Sequence, residues 1–531
     1  MTCSNGLCTQ GPACARRPAP APVTPTCLLG SRRCWQGQPE RCDGVGNWQA
    51  LAVCAEPTPT CFAASCLQCT PGSTRCSGPG AVARCNPSGT WGAEIHCQGG
   101  AICQNGTCAS SSGLLAVAAG QEHSCAILGS RIKCWGANQH YQLGLTDRMP
   151  HGVAKNQMGD FLPFAGLDPS ARVSGVAAGG SHTCGVGNGG TVTCWGDNSY
   201  GQLGVLPASP EGEGEGEGMF SAVLPGFFVQ AVGTGQAHTC VLSTDGRVSC
   251  WGDNRFGQVG AGSDFSIIIA NGTVSPPPVV DLGVGVNAAA IAVGAFHSCA
   301  LLSSGGVKCW GDNEYGQLGQ GDLHNRGGSG EMGDVLPTVA VGHSRTVTAV
   351  AAGAFHTCAL LDDSSVKCWG ANISGQLGIG SSENKGGNRA DLGDGLAAAA
   401  LGNGRAVTAI AAGGTHTCAL FLDGTVTCWG GGLFGQRGDG SVSSLGGVPT
   451  PALADAAPIE LGTVGASAVA ASALGAGANH TCALLMTGDV KCWGLNNVGQ
   501  LGQESTVTLG DGPMEMGNNL PPIRLGTAPS P

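Results

Sequence analysis

The stretch HTCVLSTDGRVSCWGDNRFGQVG, residues His238 to Gly260, sets Cys240 and Cys250 ten positions apart around an Asp-Gly pair and then closes on Trp-Gly and Gly-Gln-x-Gly. The chain writes this phrase seven times. Its leading histidines, His123, His182, His238, His297, His356, His416 and His480, fall 56 to 64 residues apart. A unit of that size, repeated so often, buries its apolar side only against its neighbours, so the sequence constrains the chain to a repeat array before any other feature is weighed. Each unit reads as a small-residue strand ("VAAG"), His-Ser/Thr-Cys, a short apolar strand, a turn, a strand ending in Cys-Trp-Gly, and a polar loop ending in Gln-Leu-Gly.

The cysteine spacing tests the hairpin. Opposed residues on antiparallel strands bring their Cα atoms within disulfide reach. If Cys240 faces Cys250, then 243 faces 247, and Thr244-Asp245-Gly246 is a three-residue loop, which wants a left-handed residue last. Gly190, Gly305, Gly424 and Gly488 occupy that place in four other repeats, while Ser364 departs from it. In the first repeat Cys125 and Cys134 are nine apart, so the same pairing leaves the two-residue loop Gly129-Ser130, read as a II′ turn. The pairs Cys125–Cys134, Cys184–Cys194, Cys240–Cys250, Cys299–Cys309, Cys358–Cys368, Cys418–Cys428 and Cys482–Cys492 are therefore expected as cross-strand disulfides. The following tryptophans, Trp135, Trp195, Trp251, Trp310, Trp369, Trp429 and Trp493, point to the opposite strand face and are expected to pack between repeats.

Ahead of the array lie two six-cysteine segments, from Cys27 with steps 7, 8, 12, 7, 5 and from Cys69 with steps 7, 9, 12, 6, 5. Roughly 40 residues bury too little to fold unaided, so disulfides are the expected staple, in any of 15 pairings. Cys3 and Cys8 in "CSNGLC" repeat the texture of Cys103 and Cys108 in "CQNGTC", so residues 1–26 read as the tail of a third module, with Cys14 left over, and a Pro-rich linker. A signal peptide and the rest of that module are expected upstream of Met1. Twenty-nine cysteines at regular spacing belong to an oxidising compartment. The expected address is extracellular, periplasmic or cell-surface.

The repeat "AAGxxHTCAL…GxVxCWGxNxxGQLG" is similar to the regulator of chromosome condensation repeat, and over residues 113–531 the chain resembles a bacterial, secreted form of that family. The resemblance implies an all-β, seven-bladed β-propeller of four-stranded blades, preceded by disulfide-rich modules at 27–68 and 69–112. The closing phrase "LPPIRLG" is expected to complete the first blade. The stretch from Ser209 to Phe220, "SPEGEGEGEGMF", is expected to be an unpacked acidic excursion.

Function is read by elimination. The net charge of -11 disfavours nucleic acid and anionic membranes, and no apolar run reaches the roughly 20 residues of a membrane span. "STDGRVSCW" imitates an Asp-box with the wrong spacing, and no GxSxG, HExxH or phosphate-loop motif occurs in context. The seven histidines are read as packing within each unit, bonded to nearby backbone, and not as metal ligands or bases. No cofactor, metal or catalytic residue is expected. The expected function is a monomeric, non-enzymatic scaffold that holds a protein on one propeller face, in the manner of the propeller-type β-lactamase inhibitors. The alternatives are guanine-nucleotide exchange, by resemblance, and an extracellular glycan-binding or lyase propeller.

Overall fold

The computed structural model describes residues 114–527 except 169–170, 206–215, 223, 225, 263–277, 403–404 and 448–452, together with the backbone of short strands between 32 and 109. Among the described residues there is no α-helix, only strands and short 3-10 turns such as Gly333–Val335. Each repeat forms one antiparallel sheet. In the third repeat its strands are Val229–Thr234, His238–Ser243 and Val248–Gly252, paired in that order, and the same order recurs in all seven. The first strand of each sheet contacts the first strand of the next, and Ala471–Ala476 of the seventh contacts Leu114–Ala119 of the first. The sheets thus form a closed ring with alanine-rich strands innermost, small enough to let seven backbones converge.

The register is the one the cysteine spacing requires. Every pair from Cys125/Cys134 to Cys482/Cys492 stands directly opposite across its hairpin. Their Cα atoms are 4.0–4.1 Å apart and the sulfurs lie at bonding distance. The Cys sulfurs face one neighbouring sheet and the Trp rings the other. Trp310 packs on Cys240 and Cys250 of the preceding sheet, Trp369 on Cys299 and Cys309, and Trp135 on Cys482 and Cys492, where the last repeat meets the first. All seven tryptophans are fully buried, and emptying one such site costs about 3–5 kcal/mol.

Three expectations are corrected. Gly129 and Ser130 both have positive φ, 56° and 70°, so the short turn is type I′ and not II′; the primed turn with both residues left-handed still matches the strand twist. The phrase Leu520–Gly526 does not complete the first sheet. The Ile523 N–H donates to Val490 O of the seventh sheet at 2.8 Å, as Val339 does to Val307 within the fourth. Outer segments elsewhere make a single such bond, and in four of them the next donor position, two residues back, is a proline that donates nothing (Pro163, Pro278, Pro337, Pro521); these sheets are three-stranded. The exception lies inside the Glu-Gly stretch: Gly216–Ala222 is a fourth strand on Val192–Gly196, because Gly-Glu alternation has strand period and meets an open edge. Residues 206–215 lie outside the described residues.

A buried ammonium also ties the last repeat to the first. Lys133 Nζ donates to Leu525 O of the last repeat and to Gly159 O of its own, both at 2.8 Å, and Lys308 and Lys491 repeat this between Leu282 and Gly333 and between Leu461 and Gly517. Burial lowers the pKa of Lys133 and of Lys491.

In the N-terminal part, strands Arg32–Trp35, Gln38–Cys42 and Trp48–Ala50 form a sheet followed by the hairpin Thr60–Phe62/Ser65–Leu67; Thr74–Gly78, Ala81–Cys85 and Trp91–His96 are followed likewise by Ile102–Gln104/Thr107–Ala109. The two stretches share one order of strands. Register sets Cys61 opposite Cys66 and Cys103 opposite Cys108. Residues 1–26, with their expected module tail and linker, lie outside the described residues.

Two substitution tests follow. Ser364 holds φ +66° where the other three-residue loops carry glycine, for example Gly246 at +84°. Ser364→Gly should raise stability by about 0.5–1 kcal/mol in denaturant titration, and Gly246→Ala should lower it, since its Cβ would meet Asn287 Cβ at 2.7 Å. In six repeats a buried Asn, such as Asn313, accepts the N–H of the residue five on, here Leu318 at 2.9 Å. The sixth repeat has Gly432 and Arg437 instead; a Cβ on Gly432 would run first into the Ser443 carbonyl oxygen and then lie 2.8 Å from Arg437 Nε, and the buried guanidinium pairs with Asp439 at 2.7 Å. Gly432→Asn and Arg437→Leu should each cost about 1–3 kcal/mol in denaturant titration, and because the Ser443 carbonyl still blocks a side chain at 432, the double variant should stay below the parent; a double variant as stable as the parent would contradict this.

Candidate functional site

The repeat histidines sit beneath the mouth of the central channel, and the structure corrects their role. Their partners belong to the next repeat, not to their own backbone. His123 Nε2 bonds Thr183 Oγ1 at 2.8 Å, His297 bonds Thr357 at 2.9 Å, and His480 closes the ring on Ser124 at 2.8 Å. His182, His238, His356 and His416 reach Thr239, Ser298, Thr417 and Thr481 in the same way. Each of these hydroxyls gives its proton to the backbone oxygen of the Gln in the preceding Gln-Leu-Gly, as Thr357 does to Gln317 O at 2.9 Å. The same oxygen accepts the Trp369 Nε1–H at 2.9 Å. The pattern holds at Gln142, Gln202, Gln258, Gln376, Gln436 and Gln500.

Proton counting fixes the histidine tautomer. A hydroxyl has one hydrogen, and it is spent on the glutamine oxygen, so the hydroxyl must accept from Nε2–H. Each imidazole is therefore neutral with its proton on Nε2, and Nδ1 is buried without a partner in all seven. Burial, the largest cause, pushes the pKa of His123, His238, His297, His356 and His416 down to about 3, and of His182 and His480 to about 4. The Nε2 atoms are thus engaged as donors between repeats and offer no lone pair to a metal. The Gly of each "AAG" is required sterically: a Cβ on Gly120 would lie 2.6 Å from Gly179 O of the next repeat and 2.7 Å from His123 Cε1.

The channel above this ring encloses about 360 Å³, lined by the last residues of the seven inner strands and the loops that lead to the histidines. Those loops break the repeat symmetry. Phe296 and Phe355 border the mouth with ring centroids 5.9 Å apart, and Phe256 and Tyr315 brace them edge-on at 5.6 and 5.4 Å. Farther along the row, Arg255 lies 5.1 Å over the Tyr200 ring and bonds Asp253. Ile373 and Leu433, in the loops after Cys-Trp-Gly, are 84% and 67% exposed. Among the described residues no helix is long and apolar enough to cross a membrane.

The Ser/Thr after each histidine and the Gln of Gln-Leu-Gly were the functional partners that sequence reading missed. Their signal was strict recurrence in all seven repeats.

A closed ring of three-stranded sheets, joined by hydrogen bonds from repeat to repeat, defines a propeller-type repeat protein. The RCC1-like domain family matches residues 85–392, and the regulator of chromosome condensation (RCC1) repeat matches residues 407–436 and 471–500. The chain belongs to the RCC1-like family. It is 28% identical over 402 residues to the ultraviolet-B receptor UVR8 of Arabidopsis thaliana, covering 73% of this chain and 78% of that protein. It is 30% identical over 309 residues to the human E3 ubiquitin-protein ligase HERC2, 57% of this chain but 6% of that one. Among solved structures, human WBSCR16 superposes with a TM-score of 0.56 at 20% identity, over 78% of this chain and 95% of its own. Prp20p from Saccharomyces cerevisiae gives 0.54 at 23%, over 78% and 87%. These two show the fold.

The buried neutral rings set a pH dependence. Their folded pKa values lie below the unfolded value of 6.5, so the stability they permit is complete above pH 6.5 and is lost as pH falls toward 4 to 3. At pH 5 the loss is about 2 kcal/mol for each ring. The melting temperature should drop steeply between pH 6.5 and 5; a flat profile down to pH 4.5 would contradict the assignment.

Proposed function

We propose that the protein is an exported, non-enzymatic scaffold that holds a protein partner on the face carrying the aromatic row. The observation that supports it most is the set of seven cysteine pairs in cross-strand register, one in every sheet. Such pairs persist as disulfides only in an oxidising compartment, where they stiffen each hairpin by roughly 2–3 kcal/mol. Exposed Ile373 and Leu433, with half-buried aromatics beside them, give this face the composition of a contact surface. Related molecules point the same way: Prp20p binds Gsp1p and histones, and UVR8 is a receptor. The family kinship also favours a second reading, regulation of a small GTPase, in which the same face would engage the nucleotide-binding partner and the cysteines would be thiols.

The two readings part on sulfur chemistry. Intact mass and alkylation of the unreduced protein should find all fourteen propeller cysteines bonded. Because each Trp lies on a cysteine pair, and disulfides quench indole emission, reduction should also raise Trp fluorescence. Fourteen alkylatable thiols in freshly isolated protein would overturn the export reading and favour the GTPase one.

A further inference from the structure

We infer that the channel mouth is a binding site for a neutral pyranose sugar, an inference independent of the protein-partner reading above. No charged side chain lines the channel among the described residues. An acid or phosphate would find no cation there, and an amine no carboxylate. What the lining offers is an aromatic shelf and an amide pair.

The shelf is Phe296 and Phe355, inclined by 35° to each other and each fixed by an edge-on ring from the preceding repeat. A pyranose has one face of C–H groups that suits such a surface. Across from it, Gln236 Nε2 donates to Gln121 Oε1 at 2.9 Å, spanning two repeats over Gly180, where any Cβ would meet the Gln236 amide. Among the described residues that bond leaves the Gln121 amide hydrogens and the Gln236 oxygen without partners, a donor and an acceptor for hydroxyls. An apolar ligand would leave both polar groups of the amide pair without a partner. At about 360 Å³ the space lies at the small end of ligand cavities, which run roughly 300–1,000 Å³.

The test is saturation-transfer NMR on the full chain with methyl glycosides of glucose, galactose, mannose and N-acetylglucosamine, and with sialic acid as the charged control. At least one neutral glycoside should bind with a Kd on the order of 1 mM, as a ligand of this size does. Gln121→Leu, which removes the amide of an exposed side chain, should weaken it by roughly 3- to 10-fold. Phe296→Ala/Phe355→Ala should weaken it more than about 10-fold, with near-UV circular dichroism of the fold retained. The same sugar at the end of an oligosaccharide separates the sources: tighter binding of the oligosaccharide identifies a glycan terminus, equal binding a free sugar, and both support the site. Absence of transfer from all four glycosides, preference for sialic acid, or unchanged affinity in Gln121→Leu would overturn it.

Discussion

One backbone oxygen per repeat, that of the glutamine in Gln-Leu-Gly, receives both the indole N–H and the Ser/Thr hydroxyl of the following repeat, and the histidine of its own repeat completes the loop by donating to that hydroxyl. Nothing in a single repeat satisfies these groups. A buried polar group without its partner costs about 1–3 kcal/mol, and every repeat has several, so an open array would leave one full set orphaned at each end. Closure removes both sets at once, as the bonds of Ser124 and Trp135 to Gln500 and of His480 to Ser124 show.

The apolar layers follow the same direction around the ring. A cysteine pair looks forward and a tryptophan looks back, so every interface is the same cystine-on-indole contact. Buried lysines on the outer side tie the segment after one sheet to the turn after the next, including across the seam through Lys133. This repetition leaves variation to the loops. There the repeats differ from one another, at Phe296, Phe355, Gln121 and Gln236, and there the candidate binding chemistry is found.

Much of this was legible in the chain. Cysteine spacing and turn glycines gave the hairpin register because both are local, and the residue after each second cysteine had to face the other way. The relay was not legible for a physical reason: its partners lie about sixty residues apart, and a hydroxyl such as Thr357 reads as an ordinary strand residue until the next repeat is beside it. Outer-segment assignment failed similarly, since "LPPIRLG" and "LPTVAVG" look alike whichever sheet they join, and only the bond from Ile523 to Val490 decides. The mouth of the channel was hidden because Phe296 and Phe355 come together only when neighbouring repeats do. Arg437 was written as an exception to Gln-Leu-Gly, and its meaning required the space left by Gly432.

The central claim is that seven neutral histidines, each with its proton on Nε2, join the repeats into a ring. Long-range proton–nitrogen correlation of the imidazoles in labelled, folded protein, followed from pH 8 to pH 6, reads this directly. The account predicts seven rings in the Nε2–H tautomer that do not titrate there, distinct from the chain's other five histidines. Seven rings that titrate near pH 6.5, or that carry the proton on Nδ1, would contradict it.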